Sequence, residues 1–322
     1  MKLIIQIPCY NEAETLPVTL KELPRHIEGI DNVEVLVIDD GSTDNTAEVA
    51  RRNGVHHVVG ITSNLGLARA FAAGLDACLK LKADIIVNTD ADNQYNGADI
   101  IKLVRPILEK KADIVIGSRD IQSIDHFSPM KKLLQRVGSS FVRSVSHTTI
   151  ADTTSGFRAY SREAAMRLNV VSDFTYTLET IIQAGTNGLM ITHVPVRTNP
   201  KLRESRLFHS TGQYLGHSLS TIVRIYTMYK PLRVFTTVGG VLFGVGLILD
   251  IRFFYYFFTL RNEPTGHIQS LIVAAVFMII GFQVFMFGLL ADLIAKNRKI
   301  MEDTLLRIKK LEFEQEKKHD GK

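Results

Sequence analysis

From Lys2 to about Pro195, short apolar runs alternate with longer amphipathic stretches, and that rhythm predicts strands and helices in turn. Strands are expected at Leu3–Ile7, Val33–Ile38, His56–Gly60, Asp84–Thr89, Asp113–Ile116 and Leu189–Val196. Helices are expected at Ala13–Leu23, from a Ser42 or Thr43 cap to Asn53, and at Leu67–Lys80, Asp99–Lys110, Arg162–Leu168 and Thr177–Ala184. A β-α-β-α order argues for an α/β fold, a mostly parallel sheet with helices on both faces. Between Asp120 and Gly156 the pattern loosens, with a basic segment at Lys131–Arg143. Arg197–Arg206 reads as a basic loop, and His209–Tyr229 as an amphipathic helix.

The pattern then changes. Val234–Leu249 holds no charge and continues past Asp250 and Arg252 into Phe253–Phe258, while Ile268–Ala291 is uncharged throughout. At about 1.5 Å per residue, either stretch can cross a hydrocarbon core of about 30 Å. Four units follow: an α/β domain over 1–207, an interfacial helix over 208–232, two transmembrane helices over 233–295 and a charged tail helix over 296–322. Arg224, Lys230 and Arg233 precede the first span, and Lys296, Arg298 and Lys299 follow the second. Positive flanks stay cytosolic, which predicts a multi-pass protein of the cell membrane, or of the ER membrane in a eukaryote, with its α/β domain in the cytosol. Gly239, Gly240, Gly244 and Gly246 are candidates for close helix approach.

Composition sharpens this. A net charge of +5 and a pI near 9.1 point to an anionic partner, either a phosphate-bearing ligand or a lipid surface. No nucleic-acid motif is present, so nucleic acid is not an expected partner. Cys9 and Cys78 read as reduced core residues of a cytosolic domain, and because a strand at Leu3–Ile7 opens the sequence, a cleavable leader is not expected.

The candidate chemistry sits where strands end. Pro8-Cys9-Tyr10-Asn11-Glu12 closes the first strand, Asp39-Asp40-Gly41-Ser42 with Asp44 the second, and Asp90-Ala91-Asp92 a later one. Parallel strands bring these to one sheet edge, outside which ligands of open α/β sheets bind. Like charges gathered there repel unless a cation or donor-rich ligand offsets them. Residues i and i+2 on an extended chain point the same way, so Asp90 and Asp92 can close on one hard cation.

In these ordered motifs, the chain from Leu3 to Arg206 resembles the family 2 glycosyltransferases of the GT-A fold. The polyprenyl-phosphate branch is the most similar. The resemblance implies that Pro8, Tyr10, Glu12, Val37 and Asp39 hold a nucleoside. It implies that Asp90, Ala91, Asp92 and Gln94 meet Mg2+ or Mn2+ and the donor diphosphate, with Asp90, Asp92 and Gln94 as metal ligands. Arg119, in Ile116-Gly117-Ser118-Arg119, matches an arginine of the donor and acceptor site. Asp152-Thr153-Thr154-Ser155-Gly156-Phe157-Arg158 looks like an acceptor-side motif, with Arg158 set to grip a lipid phosphate and Asp152 to orient the acceptor or act as a base. Arg203 and Arg206 fall in a loop suited to phosphates, where Arg203-Glu204-Ser205-Arg206 departs from the Gly-x-Ser-Lys of mannose synthases. Glu179 sits where the family often has an acid. The expected partners are a nucleotide-sugar donor, linked to UDP or GDP, an undecaprenyl or dolichyl phosphate acceptor and the bilayer, with paired spans and a charged tail that fit a homo-oligomer. Rival readings are transfer to a lipid-linked glycan, a processive polysaccharide synthase and a non-catalytic nucleotide-sugar sensor. A sequence without tryptophan lacks the Gln-x-x-Arg-Trp motif of the synthases.

Overall fold

The computed structural model describes residues 1–119, 152–170, 176–200, 223–224, 226–259 and 268–319, with side chains as far as residue 313. Met1–Leu219 with Leu306–Lys322 forms one compact unit, and Ser220–Leu305 a second.

The first unit is built on seven strands: β1 (Lys2–Cys9), β2 (Asn32–Asp40), β3 (His57–Ile61), β4 (Ile85–Asn88), β5 (Ile114–Ser118), β6 (Arg158–Ser161) and β7 (Ile191–Pro195). Their order across the sheet is β3-β2-β1-β4-β6-β5-β7. All neighbours run parallel except β6, which is antiparallel to both β4 and β5. The connecting helices are α1 (Leu16–Glu22), α2 (Thr46–Arg52), α3 (Leu67–Lys80), α4 (Ile100–Leu108), α5 (Arg162–Arg167) and α6 (Thr177–Thr186).

Side-chain alternation along the strands makes two apolar layers. Leu3, Ile5 and Ile7 of β1 join Ile85 and Val87 of β4 in a core with Leu16, Leu20, Ile100 and Leu103. The opposite face is covered by α3, which packs over β1 and β2. That face carries two polar residues, Gln6 and Asn88, both fully buried.

Three differences from the sequence reading have physical causes. β6 was not expected, because Arg158-Ala159-Tyr160-Ser161 offers no apolar run; its arginine is bonded by the preceding loop and α6, and its tyrosine packs against Phe71 of α3. The second helix begins at Thr46, not after Ser42 or Thr43, because Asp44 Oδ1 accepts the Thr46 N–H at 3.0 Å and Asn11 Oδ1 accepts the Thr43 N–H at 2.8 Å, both holding the turn in a loop. The second apolar stretch does not stop before the tail: α8 is one helix, Ile268–His319.

The second unit contains α7 (Pro231–Thr259) and most of α8, both long and apolar enough to cross a membrane. They approach at backbone distance. A Cβ on Gly239 would lie 2.8 Å from the Gly281 carbonyl, and one on Gly246 2.8 Å from the Ala274 carbonyl. Gly240 and Gly244 face open space instead. The close positions recur every seven residues on both helices, the period of a left-handed pair. Beyond the apolar stretch, Arg298 stacks over the Tyr229 ring, donates to its hydroxyl and pairs with Glu302 at 2.7 Å.

The end of α8 belongs to the first unit. Phe313 is buried beneath the Arg162 guanidinium, 5.2 Å from it, and Lys310 pairs with Glu163 at 3.1 Å. Arg162 also donates to the Ala83 and Leu79 carbonyls at the end of α3. Phe313→Ala is therefore expected to destabilise the α/β unit by about 2 kcal/mol. Burial pushes the Cys9 and Cys78 thiols up in pKa, so a thiol-reactive dye labels them only on unfolding and reports the melting point. An unchanged melting point would remove the tail from this unit.

Candidate active site

Parallel pairing carries the ends of β1, β2 and β4 to one edge. Cys9 lies opposite Asp39, and Gln6 opposite Asn88, so Glu12, Asp39 and Asp90 all emerge there. The acids at this edge do different work. Asp40 is buried and accepts the Leu65 and Gly66 N–H groups at 2.9 and 2.8 Å, which fixes the entry to α3. Asp44 accepts from Ala13 and Thr46. Glu12 is buried and accepts the Thr15 hydroxyl at 2.6 Å. Asp39 takes the Ser42 N–H at 3.0 Å and stays partly exposed. The grouping of carboxylates is thus partly loop architecture, with Asp39, Asp90 and Asp92 left only partly buried.

Among the nucleoside candidates, Tyr10 is exposed, whereas Pro8 and Val37 are buried in the sheet. Ala91 is buried, and its carbonyl accepts the Thr19 hydroxyl at 2.9 Å, tying the acidic turn to α1. Asp92 accepts the Gln94 N–H at 3.0 Å, a bond that curls the turn so that both residues share it. Burial, with Asp92 beside it, lifts the Asp90 carboxyl to about 7, against the opposing charge of Arg119.

A second cluster lies across from this turn. Arg119 grips Asp152 with two nitrogens, at 2.7 and 3.2 Å, and Thr154 Oγ1 at 3.2 Å. Its guanidinium stands 5.8 Å over the Tyr95 ring. Asp152 is fully buried; burial alone would raise its carboxyl, and the Arg119 charge and bonds outweigh that to hold it below the usual range. An ionised carboxylate engaged in this way is a poor base, so its geometry suits it to hold Arg119.

Arg158 corrects an expectation. It is fully buried in β6 and donates to the carbonyls of Ser155, Thr177 and Thr153 and to Thr180 Oγ1, all within 2.9 Å. It braces the loop before β6 against α6, and a lipid phosphate does not reach it. Glu179 is buried in the first turn of α6, where Gln183 donates to it at 3.3 Å. Arg203 and Arg206 lie outside the described residues, as do the Lys131–Arg143 segment and most of the expected interfacial helix.

Sequence reasoning missed Asn88, Tyr95 and Tyr176, which hold the two clusters together. Asn88 left a signal: an amide inside an apolar strand must find buried partners.

A mostly parallel sheet with an acidic turn after β4 defines a GT-A-fold glycosyltransferase. The chain belongs to glycosyl transferase family 2, whose description matches residues 4–168; residues 230–296 match the GtrB C-terminal hairpin. Glycosyltransferase AglJ of Haloferax volcanii is 29% identical over 96% of this chain and 97% of its own length. The UDP-N-acetylglucosamine--dolichyl-phosphate N-acetylglucosaminyltransferase of Methanococcus voltae is 31% identical over 60% of this chain and 83% of its own. The undecaprenyl-phosphate mannosyltransferase of Micrococcus luteus is 28% identical over 70% and 93%. The fold matches glucosyl-3-phosphoglycerate synthase of Mycobacterium tuberculosis, crystallised with Mn2+ and UDP-glucose, with a TM-score of 0.51 at 20% identity over 70% of this chain and 78% of that one.

Proposed function

We propose that this enzyme transfers a sugar from a UDP- or GDP-linked donor to a polyprenyl phosphate, undecaprenyl or dolichyl, at the cytosolic face of a membrane. The observation that carries it is the meeting of two clusters at one sheet edge, the Asp90/Asp92 turn for a metal-bound diphosphate and the Arg119–Asp152 pair for a second anion. The acceptors named for the Methanococcus voltae and Micrococcus luteus relatives support the lipid phosphate.

The residues fit a divalent cation. No cluster of three or more His, Cys, Asp or Glu side chains stands ready for one among the described residues. Two carboxylates with substrate phosphates are what Mg2+ ordinarily uses, and Mn2+ shares their oxygen chemistry. Burial first and the neighbouring Asp92 charge second hold the Asp90 carboxyl up at about 7, and a cation would offset both. Asp90, Asp92 and Gln94 would hold it, and when bound it supplies charge to the departing diphosphate.

A phosphate monoester has a second pKa of about 6, so it reaches the site largely as a dianion and needs no base. Its oxygen forms the bond to the anomeric carbon from the face opposite the leaving group. The bond from that carbon to the diphosphate oxygen breaks, and its electron pair leaves with the nucleoside diphosphate. Arg119, aimed by Asp152, offsets the repulsion between the two anions, and Glu12, Asp39 and Tyr10 flank the nucleoside.

Radiolabel from UDP-N-acetylglucosamine, UDP-glucose or GDP-mannose is expected in undecaprenyl phosphate, and EDTA should abolish it. No lipid label from any donor would sink the reading. Protonation of Asp90 makes a further test. Metal-free enzyme keeps this carboxyl protonated below about pH 7, so folding stability present at low pH falls as pH rises from the unfolded carboxylate range toward 7. Mn2+ affinity should run the other way, strengthening about tenfold per pH unit up to 7 and levelling above it, with a proton released on binding. Calorimetric titrations from pH 5.5 to 8.5, chosen to bracket about 7, check this; a flat profile contradicts it.

A further inference from the structure

The segment that carries the aspartates also grips a second loop. Asn88, two residues before Asp90, donates through Nδ2 to the Gly156 carbonyl and to Tyr176 Oη, both at 2.9 Å. Tyr95, three residues after Asp92, accepts the Gly156 N–H at 3.3 Å and the Ser155 hydroxyl at 3.4 Å. Gly156 is thus held on both its backbone groups by side chains that bracket the acidic pair. Between the two grips, Asp90 lies across Gly156: a Cβ there would meet each carboxylate oxygen at 3.1 Å and Tyr176 Oη at 2.9 Å.

Each grip is itself braced. Gln6 donates to Asn88 Oδ1 at 2.9 Å, and Phe71 stacks on Tyr176 at 3.8 Å. The Tyr95 ring stacks on Phe157 at 4.9 Å while carrying Arg119 on its face. Gln6, Asn88, Tyr95, Ser155 and Tyr176 are all buried. A buried polar network bonded in this way holds one arrangement against others, since each broken bond strands a polar group away from water.

We propose that Asn88 and Tyr95 are positioning residues that lock the Thr153–Phe157 loop in register with Asp90 and Asp92, so that acceptor and donor are presented in line. This rests on the proposed function, which places the donor at the aspartates and the acceptor beside the loop. Loosening the loop leaves the donor bound and open to water but misplaces the lipid phosphate.

Tyr95→Phe in the full-length, detergent-solubilised enzyme keeps both ring contacts and removes only the hydroxyl. With the donor that wild type uses, donor KM and slow hydrolysis to free sugar should stay within about twofold, while transfer to undecaprenyl phosphate falls about tenfold or more. Asn88→Ala should do the same, and if it fails to fold, Tyr95→Phe decides. Equal loss of hydrolysis and transfer, or transfer within about twofold of wild type, overturns the proposal. If wild type labels no lipid, the lipid-acceptor reading fails and hydrogen exchange decides this one. Mn2+ with UDP or GDP should slow exchange in peptides covering 152–158 of wild type and not of Tyr95→Phe; equal slowing in both overturns it.

Discussion

Asp92→Ala is expected to lose about three orders of magnitude of sugar transfer while its fold survives. Asp92 is partly exposed, and its recorded bond is to the Gln94 N–H at the tip of a turn, so stability should change by less than about 1 kcal/mol. Removing it also removes one of the charges that, after burial, raise Asp90, which relaxes the metal-free protein. Catalysis has no such cushion. A divalent ion contributes several kcal/mol to a departing diphosphate, and about 4 kcal/mol is a thousandfold in rate. Radiolabel transfer beside a melting curve separates the two effects. Transfer within tenfold of wild type in a folded variant would remove Asp92 from the metal site.

Asp152→Ala should damage both properties. It leaves the Arg119 guanidinium, whose side chain is only 11% exposed, without its carboxylate. Breaking a buried pair from one side costs about 3–5 kcal/mol, because the remaining charge is stranded. Transfer should fall as well, since Arg119 would lose the two bonds that aim it. Combining Asp152→Ala with Arg119→Ala should cost less stability than the sum of the single changes. The pair also predicts a pH response. Asp152 has its carboxyl depressed in the folded state, so its contribution is complete above the unfolded carboxylate range and is lost as pH falls through the folded value. Asp152→Asn should flatten that acid limb of the stability curve. Additive single effects, or an unchanged acid limb, would show that the pair is not coupled.

Local pattern carried much of the fold. The period of Leu67–Lys80 predicted α3 to the residue, and the apolar strands ending in acids predicted that β1, β2 and β4 finish at one edge. What the pattern could not reach was set by distant partners. β6 is a strand because β4 and β5 flank it, and Arg158 turns inward because carbonyls from its own loop and α6 are waiting there. Asp40 and Asp44 look like ligands in sequence and prove to be loop fasteners, because a carboxylate beside free backbone N–H groups satisfies them first. The helix that runs from the second apolar stretch into the tail had no stop signal: no Gly or Pro interrupts the chain between Gly288 and His319.

The reversed direction of β6 has an architectural consequence. β5 ends, and β6 begins, at the edge where the aspartates emerge, so everything between Arg119 and Asp152 leaves and rejoins the sheet at one place. Such a detour can be lengthened, shortened or exchanged between homologues without moving a strand. A connection that starts and finishes at the same edge leaves the strand register on either side independent of its length.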